Sequence, residues 1–238
     1  MSASGQCTSN FVFTNGADVL VGQAAHCTGN SIATSTNGCQ QEQPPLPLGS
    51  KVEVQGASRP ATLVYSSWNA MIASHEKDAA TCAYNDFALL RLDPADASKV
   101  NPSIPGWGGP RGTGKTAAGR TVYSFGNSDL RQGLRQLSPK VGATIANDPS
   151  GWNYTVLTLT PGVPGDSGSA MLNDNGGALG IVVTIKTYPP LSNGVTDLAH
   201  AMGYARTHGM PGLALVNGTR VFQTNLVTRL VRGLLLLG

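Results

Sequence analysis

A length of 238 residues and a hydrophobic share of 40% allow one large domain or two small ones with a buried core. Only 12% of the residues are charged, the formal net charge is +3, and glycine (30) and proline (15) are frequent, which is typical of an all-β chain with many turns and disfavours a helical bundle. The sequence lacks the cluster of basic residues that is typical of a nucleic-acid-binding surface, and it has no apolar stretch long enough to span a membrane.

The first hundred residues contain short apolar runs that predict strands. Runs at 11–13 and 19–21 are separated by Asn15-Gly16, and an Asn-Gly pair between two such runs predicts a β-hairpin. Further strands are predicted at 52–54, 61–65 and 87–92.

A second group of strands follows a segment rich in proline and glycine. Residues 101–118 lack periodicity, which predicts a linker, and we place the N-terminal domain at 1–105, the linker at 106–118 and the C-terminal domain at 119–208. Strands are predicted at 121–125, 155–159 and 178–185, and a helix at 198–207 that Thr196 or Asp197 caps. We expect residues 209–238 to form an extension with a hairpin at 213–222 and a helix at 224–237.

The sequence has four cysteines, Cys7, Cys27, Cys39 and Cys82. None of them forms a CxxC pair, which argues against a zinc ribbon or a thioredoxin motif. They permit three pairings, and disulfides would indicate an oxidising compartment. The alternative is four buried free thiols in a cytosolic protein. Residues 1–6 lack the charged start and apolar core of a signal peptide, so we expect secretion to rely on a segment outside this sequence.

Three local patterns carry the chemistry of a serine hydrolase. They are His26 within Ala-Ala-His-Cys, Asp86 within Asn-Asp-Phe-Ala-Leu-Leu, and Ser167 within Gly-Asp-Ser-Gly-Ser. A serine hydroxyl needs a base to accept its proton, and histidine suits that role because its pKa lies near neutral pH. A buried carboxylate then orients the imidazole ring. The backbone N–H groups of Gly165 and Ser167 are predicted to form an oxyanion hole.

These three patterns resemble the histidine, aspartate and serine motifs of trypsin-like (chymotrypsin-fold) serine peptidases. Pro164-Gly165-Asp166-Ser167 is especially similar to the bacterial secreted branch, such as the streptogrisins, and the likeness covers roughly residues 7–208. The resemblance implies an all-β fold of two packed antiparallel six-stranded barrels, with helices near the C-terminus. His26 and Asp86 would come from the first barrel and Ser167 from the second.

The resemblance also implies covalent and ionic partners. Cys7 matches the cysteine that bridges to the one after the histidine, which favours Cys7–Cys27 and leaves Cys39–Cys82. The sequence before Cys7 does not match the activating amino terminus of the family, so we expect an arginine to neutralise a buried Asp166 instead, as in some bacterial relatives. Arg120 is the first choice for that partner.

The same resemblance places the walls of a primary substrate pocket. The pocket has no acid at its base, which disfavours arginine or lysine, and no histidine in its wall strand, which disfavours glutamate. An apolar lining predicts cleavage after apolar residues, and Ile185 is expected to narrow the pocket. The predicted wall residues are Pro161, Gly162, Val163, Pro164, Val183, Thr184, Ile185 and Gly194.

The sequence therefore predicts a secreted, monomeric serine endopeptidase. It would act on polypeptides through an acyl-enzyme, with no metal or cofactor and no nucleic-acid or membrane partner. The alternative is a catalytically silent, protease-like binding module. Residues 109–116 match the sequence pattern of a phosphate-binding loop. No predicted strand precedes them and no predicted helix follows them, which argues against nucleotide binding. The serine motif lacks the last glycine of an esterase elbow, and esterases of that type place their histidine last.

Overall fold

A computed structural model describes residues 6–29, 37–41 and 43–225. Its strands form two antiparallel systems: a six-stranded sheet and a closed six-stranded barrel. In chain order the sheet consists of β1 (Val12–Asn15), β2 (Asp18–Gln23), β3 (Lys51–Val52), β4 (Ala61–Ser66), β5 (Ala88–Arg91) and, from the far end of the chain, β12 (Leu213–Leu215). The barrel consists of β6 (Thr121–Phe125), β7 (Pro139–Asn147), β8 (Asn153–Thr158), β9 (Ala170–Asn173), β10 (Ala178–Lys186) and β11 (Ser192–Asp197).

The first sheet contains the hairpin that the Asn-Gly pair predicts. Asn15 pairs with Asp18 across a two-residue turn, and Gly16 has a φ of 62°, which glycine adopts without a steric penalty. The strand order is β12-β1-β2-β5-β4-β3, and in the described residues no pairing joins β3 to β12. The all-β fold is as expected; within the described residues, the second strand system is a closed barrel and the first is an antiparallel sheet.

The end of the described chain covers the edge of β1. Phe13 pairs with Leu215, so β12 satisfies backbone groups that an edge strand would leave exposed. The hairpin expected at 213–222 is wrong, because β12 is followed by an extended segment that returns to the linker. That segment bonds to it through Arg220 O, which accepts from Gly109 N at 2.9 Å. Apart from residues 224 and 225, the helix expected at 224–237 lies outside the described residues.

Phe222 continues this attachment to the barrel. Its ring lies 5.3 Å from that of Tyr123 in β6, and Gln223 N donates to Trp107 O at 2.8 Å. One C-terminal segment therefore contacts the first sheet, the linker and the barrel.

The helices differ in part from the prediction. Helix α4 (Leu198–Thr207) begins as expected, with the Asp197 carboxylate accepting from His200 N at 2.8 Å. The first half also contains α1 (Ser67–Ser74), α2 (Ala79–Tyr84) and the short α3 (Pro94–Ala97), which the sequence did not predict. In the described part of the chain, no helix is both long and apolar enough to cross a membrane.

Both expected disulfides form, Cys7–Cys27 and Cys39–Cys82. The first joins the start of the described chain to the residue after His26. The second joins the 37–41 segment to α2, shortly before Asp86.

Removing the chain after Met210 should destabilise the protein. The truncation deletes β12 and with it the side chain of Leu213, which is only 2% exposed, so we expect a loss of roughly 3 kcal/mol. For a domain of this size that corresponds to a fall in Tm of about 6–12 °C by scanning calorimetry. A matched chain that ends at Asn225 keeps β12 and Phe222, and it should melt above the shorter one. Equal melting temperatures would contradict the role given to β12.

Candidate active site

His26 and Asp86 form a direct pair. His26 lies in a short 3-10 helix after β2, and Asp86 lies immediately before β5, the strand that pairs with β2. The distance from His26 Nδ1 to Asp86 Oδ2 is 2.7 Å, and His26 N donates to Asp86 Oδ1 at 2.9 Å. Because a carboxylate only accepts hydrogen bonds, Nδ1 carries the proton and the lone pair of Nε2 is left free in the neutral ring.

The pair is shielded from solvent, and this changes the acidity of the imidazole. The side chains of His26 and Asp86 are 19% and 3% exposed. Burial lowers the pKa of His26, but the charge of Asp86 and the hydrogen bond to it outweigh burial, and the pKa ends above its ordinary value.

Ser67 holds the backbone on both sides of Asp86. Its hydroxyl donates to Asn85 O at 2.8 Å and accepts from Phe87 N at 3.0 Å, and its own N–H donates to Phe87 O. Ser67 is fully buried at the start of α1. Its contribution was not predictable, because it lies about 20 residues from Asp86 in a helix that the sequence does not signal.

Ser167 lies in the turn between β8 and β9. Thr8 connects this turn, through the Cys7–Cys27 disulfide, to the segment that contains His26. Thr8 N donates to Ser167 O at 2.8 Å, and Thr8 Oγ1 donates to Gly165 O at 2.7 Å. Thr8 follows Cys7, whose disulfide partner Cys27 follows His26. One nitrogen of His26 and the two sulfurs lie within 4.8 Å of one another. The sulfurs are already bonded to each other, so this cluster offers no thiolate to a metal.

The turn also touches the segment before His26. A Cβ on Gly168 would lie 2.2 Å from Thr8 O and 3.2 Å from Ala24 N, so only glycine allows this approach. The serine motif thus contacts both segments that the disulfide joins, at Thr8 and at Ala24. Among the described residues the Ser167 hydroxyl has no hydrogen-bond partner, His26 included, and catalytic hydrogen bonds often tighten only when substrate binds.

The backbone N–H groups of the serine turn differ in their hydrogen-bond partners. The N–H groups of Asp166, Gly168 and Ser169 all donate to backbone carbonyls. Among the described residues, those of Gly165 and Ser167 have no acceptor. Gly165 has a φ of 95°, a conformation that a larger residue would rarely adopt. These are the two groups that the sequence predicts for an oxyanion hole.

The carboxylate of Asp166 is completely buried and is neutralised by Arg131 and Lys140. Arg131 binds it through both terminal nitrogens, at 2.6 Å and 2.5 Å, and Lys140 Nζ lies 3.0 Å from Oδ2. The expectation for Arg120 is wrong: Arg120 pairs with Asp174 and is 62% exposed. The guanidinium that reaches Asp166 lies in a short 3-10 helix after β6, and no local pattern distinguishes it from the other arginines.

The ionic cluster keeps Asp166 charged. Burial raises the pKa of Asp166, but the hydrogen bond to Arg131 and the charge of Lys140 outweigh it and leave the pKa below its ordinary value. Burial lowers the pKa of Lys140; the charge of Asp166 opposes this shift and that of Arg131 adds to it.

The predicted pocket walls converge on one unexpected side chain, that of Asn193. Its carboxamide bonds to the N–H and carbonyl of Gly162 on one wall and to the carbonyl of Thr184 on the other. Gly194 is buried in β11 opposite Thr184. Of the remaining predicted residues, Val183 is buried, Pro161 and Val163 are half-buried, Pro164 is exposed and Ile185 is 52% exposed.

A model of the trypsin-like peptidase domain matches residues 8–181, which is more than half of the chain. The chain belongs to this family. No curated protein sequence matches it significantly.

Solved structures share the fold of this trypsin-like peptidase at low sequence identity. Protease A of Thermobifida fusca is 15% identical with a TM-score of 0.52, over 90% of this chain and 95% of its own. A chymotrypsin of Cellulomonas bogoriensis is 14% identical with a TM-score of 0.52, over 89% and 91%. A glutamic acid specific serine protease is 16% identical with a TM-score of 0.54, over 91% and 96%.

Replacing Arg131 should destabilise the protein far more than replacing Arg120. Arg131→Met leaves a buried carboxylate with one cation fewer, and breaking a buried pair costs about 3–5 kcal/mol. Arg120→Met is the matched control, because an exposed pair contributes about 0–1 kcal/mol. Urea unfolding measures both variants. Equal losses would show that Arg131 does not support the turn.

Proposed function

We propose that this chain is a serine endopeptidase in which His26, Asp86 and Ser167 are the catalytic residues. The observation that carries the proposal is the 2.7 Å contact of His26 Nδ1 with Asp86, beside a serine turn whose two unused N–H groups belong to Gly165 and Ser167. We further propose that residues 1–105 and 119–208 act as two domains, with the linker at 106–118 and the extension at 209–238.

The proposed reaction passes through an acyl-enzyme. Ser167 Oγ bonds to the carbonyl carbon of the substrate while its proton moves to His26 Nε2. The resulting oxyanion accepts hydrogen bonds from Gly165 N and Ser167 N. The C–N bond then breaks as His26 gives its proton to the leaving amine. A water molecule repeats the sequence at the ester, which releases the acid and restores the serine.

The surroundings of the pocket support cleavage after apolar residues. Lys140 and Arg131 lie behind the 160–163 wall, and Lys140 donates to Thr160 O and Pro161 O at 3.2 Å each. Those carbonyls are therefore turned away from a substrate cation, and the cluster of Lys140, Arg131 and Asp166 keeps one excess positive charge that would repel it. An arginine or lysine side chain is disfavoured on both grounds.

The compartment and partners follow from the same features. Two disulfides support a secreted protein, because such bonds persist in oxidising environments. Polypeptide is the proposed substrate. We propose that the enzyme acts as a monomer without nucleic-acid or membrane partners, because its charges are few and unclustered.

A peptide-library digestion tests the proposal. The wild-type chain should cleave after apolar residues, and Ser167→Ala should reduce kcat by on the order of 10⁶ because no hydroxyl remains to attack. Ser169→Ala is the matched control: its hydroxyl donates to Asp166 O inside the turn, so its loss should leave most of the activity. Strong preference for arginine would contradict the pocket, and absence of cleavage would favour a silent binding module.

The pH dependence tests the imidazole. A raised pKa means that His26 holds its proton more tightly, so the base appears only as pH rises through that pKa. We therefore expect the acidic limb of kcat/KM to have its midpoint above about 6.5. An NMR titration of His26 in Ser167→Ala should report the same raised pKa, and Asp86→Asn should lower it by removing the opposing charge. Identical titrations in both variants would contradict the pairing.

A further inference from the structure

We propose that Asn193 closes the base of the primary pocket and restricts it to small, uncharged side chains. This inference rests on the proposed function, and it deepens it by naming the class of residue that precedes the cleaved bond. Neither the sequence motifs nor the predicted wall residues include Asn193.

One carboxamide spans the two walls. Asn193 lies in β11 and is 3% exposed. Its Oδ1 accepts from Gly162 N at 2.8 Å, and its Nδ2 donates to Gly162 O at 3.3 Å and to Thr184 O at 3.1 Å. The gap between the backbone of Gly162 and that of Thr184 is thus filled by a single amide group.

The packing leaves no room beside this amide. A Cβ on Gly162 would lie 2.8 Å from Asn193 Nδ2 and 3.0 Å from its Cγ and Oδ1, so the amide rests directly against the Gly162 backbone. A long substrate side chain cannot pass between the walls at that depth without displacing it. Both amide hydrogens are already donated to carbonyls, so Asn193 has no donor left for a substrate carboxylate.

The opposite face of β11 is also covered. A Cβ on Gly194 would lie 2.3 Å from Thr184 Oγ1 and 3.3 Å from Lys186 Cε. Lys186 is itself held in place, since its Nζ donates to Thr155 Oγ1 at 2.7 Å. A substrate side chain therefore cannot pass around the strand.

The wall that Asn193 touches is braced from behind. Lys140, which is 1% exposed, holds the carbonyls of Thr160 and Pro161, and Val163 N donates to the Asp166 carboxylate at 3.1 Å. The wall cannot shift outward to admit a larger group without breaking these bonds. We therefore expect side chains from alanine to valine in size to fit above the amide.

The test compares peptide substrates that differ only in the residue before the cleaved bond: alanine, valine, leucine or phenylalanine. The wild type should show a higher kcat/KM for alanine or valine than for phenylalanine. Asn193→Ala should change the ratio of phenylalanine to alanine by at least about tenfold in favour of phenylalanine, because a space opens at the base. Asn193→Ser, which keeps one polar atom, should give a smaller change in the same direction.

Asn173→Ala is the matched control. Asn173, the last residue of β9, is also a buried asparagine, which accepts from Gly177 N at 2.8 Å and donates to Lys115 O at 3.0 Å. Its loss should lower Tm and leave the substrate ratio unchanged.

The outcomes separate the two levels of the proposal. A wild-type chain that cleaves no peptide overturns the proposed function and this inference with it. An active wild type that prefers phenylalanine overturns the inference alone, even if the Asn193 variants do not fold. Variants that lose activity equally on all four substrates also overturn it, because Asn193 would then only hold the walls together.

Discussion

The buried carboxylate of Asp166 is the constraint on which the rest of the site depends. It lies between the two residues whose N–H groups have no acceptor among the described residues, and an unpaired charge at that position would be strongly destabilising. Arg131 and Lys140 satisfy it, and Lys140 extends the same cluster to the carbonyls of the pocket wall. The shape of the serine turn and the rigidity of the wall therefore have one electrostatic origin, which needs no amino-terminal charge.

A second set of contacts joins this turn to the first sheet. Thr8 binds the carbonyls of Ser167 and Gly165, and the Cys7–Cys27 disulfide connects the same segment to the neighbour of His26. The serine turn and the segment that contains His26 are thus both connected to Cys7-Thr8. The His26–Asp86 pair is placed independently, by the pairing of β2 with β5. The two halves of the proposed catalytic apparatus are each positioned by contacts within the chain, as electrostatic preorganisation requires.

Local patterns predicted the parts of this structure that local chemistry determines. The Asn15-Gly16 hairpin and the Asp197 cap of α4 each depend on a few adjacent residues. The partners of those residues could not be predicted in the same way. In the sequence, nothing distinguishes the buried Arg131 from arginines that are exposed. Asn193 bonds to a loop about 30 residues away. Strand β12 pairs with a strand about 200 residues earlier. Helices α1 and α2 are short, and packing rather than periodicity determines them.

The central claim is that this chain, as it stands, holds an activated serine. Labelling with a fluorophosphonate, followed by mass spectrometry of the intact protein and its peptides, tests it most directly. The account predicts one adduct per chain, located on Ser167 and lost in His26→Ala, since the hydroxyl reacts only when the imidazole accepts its proton. A wild-type chain that remains unlabelled, or that reacts equally without His26, would contradict it.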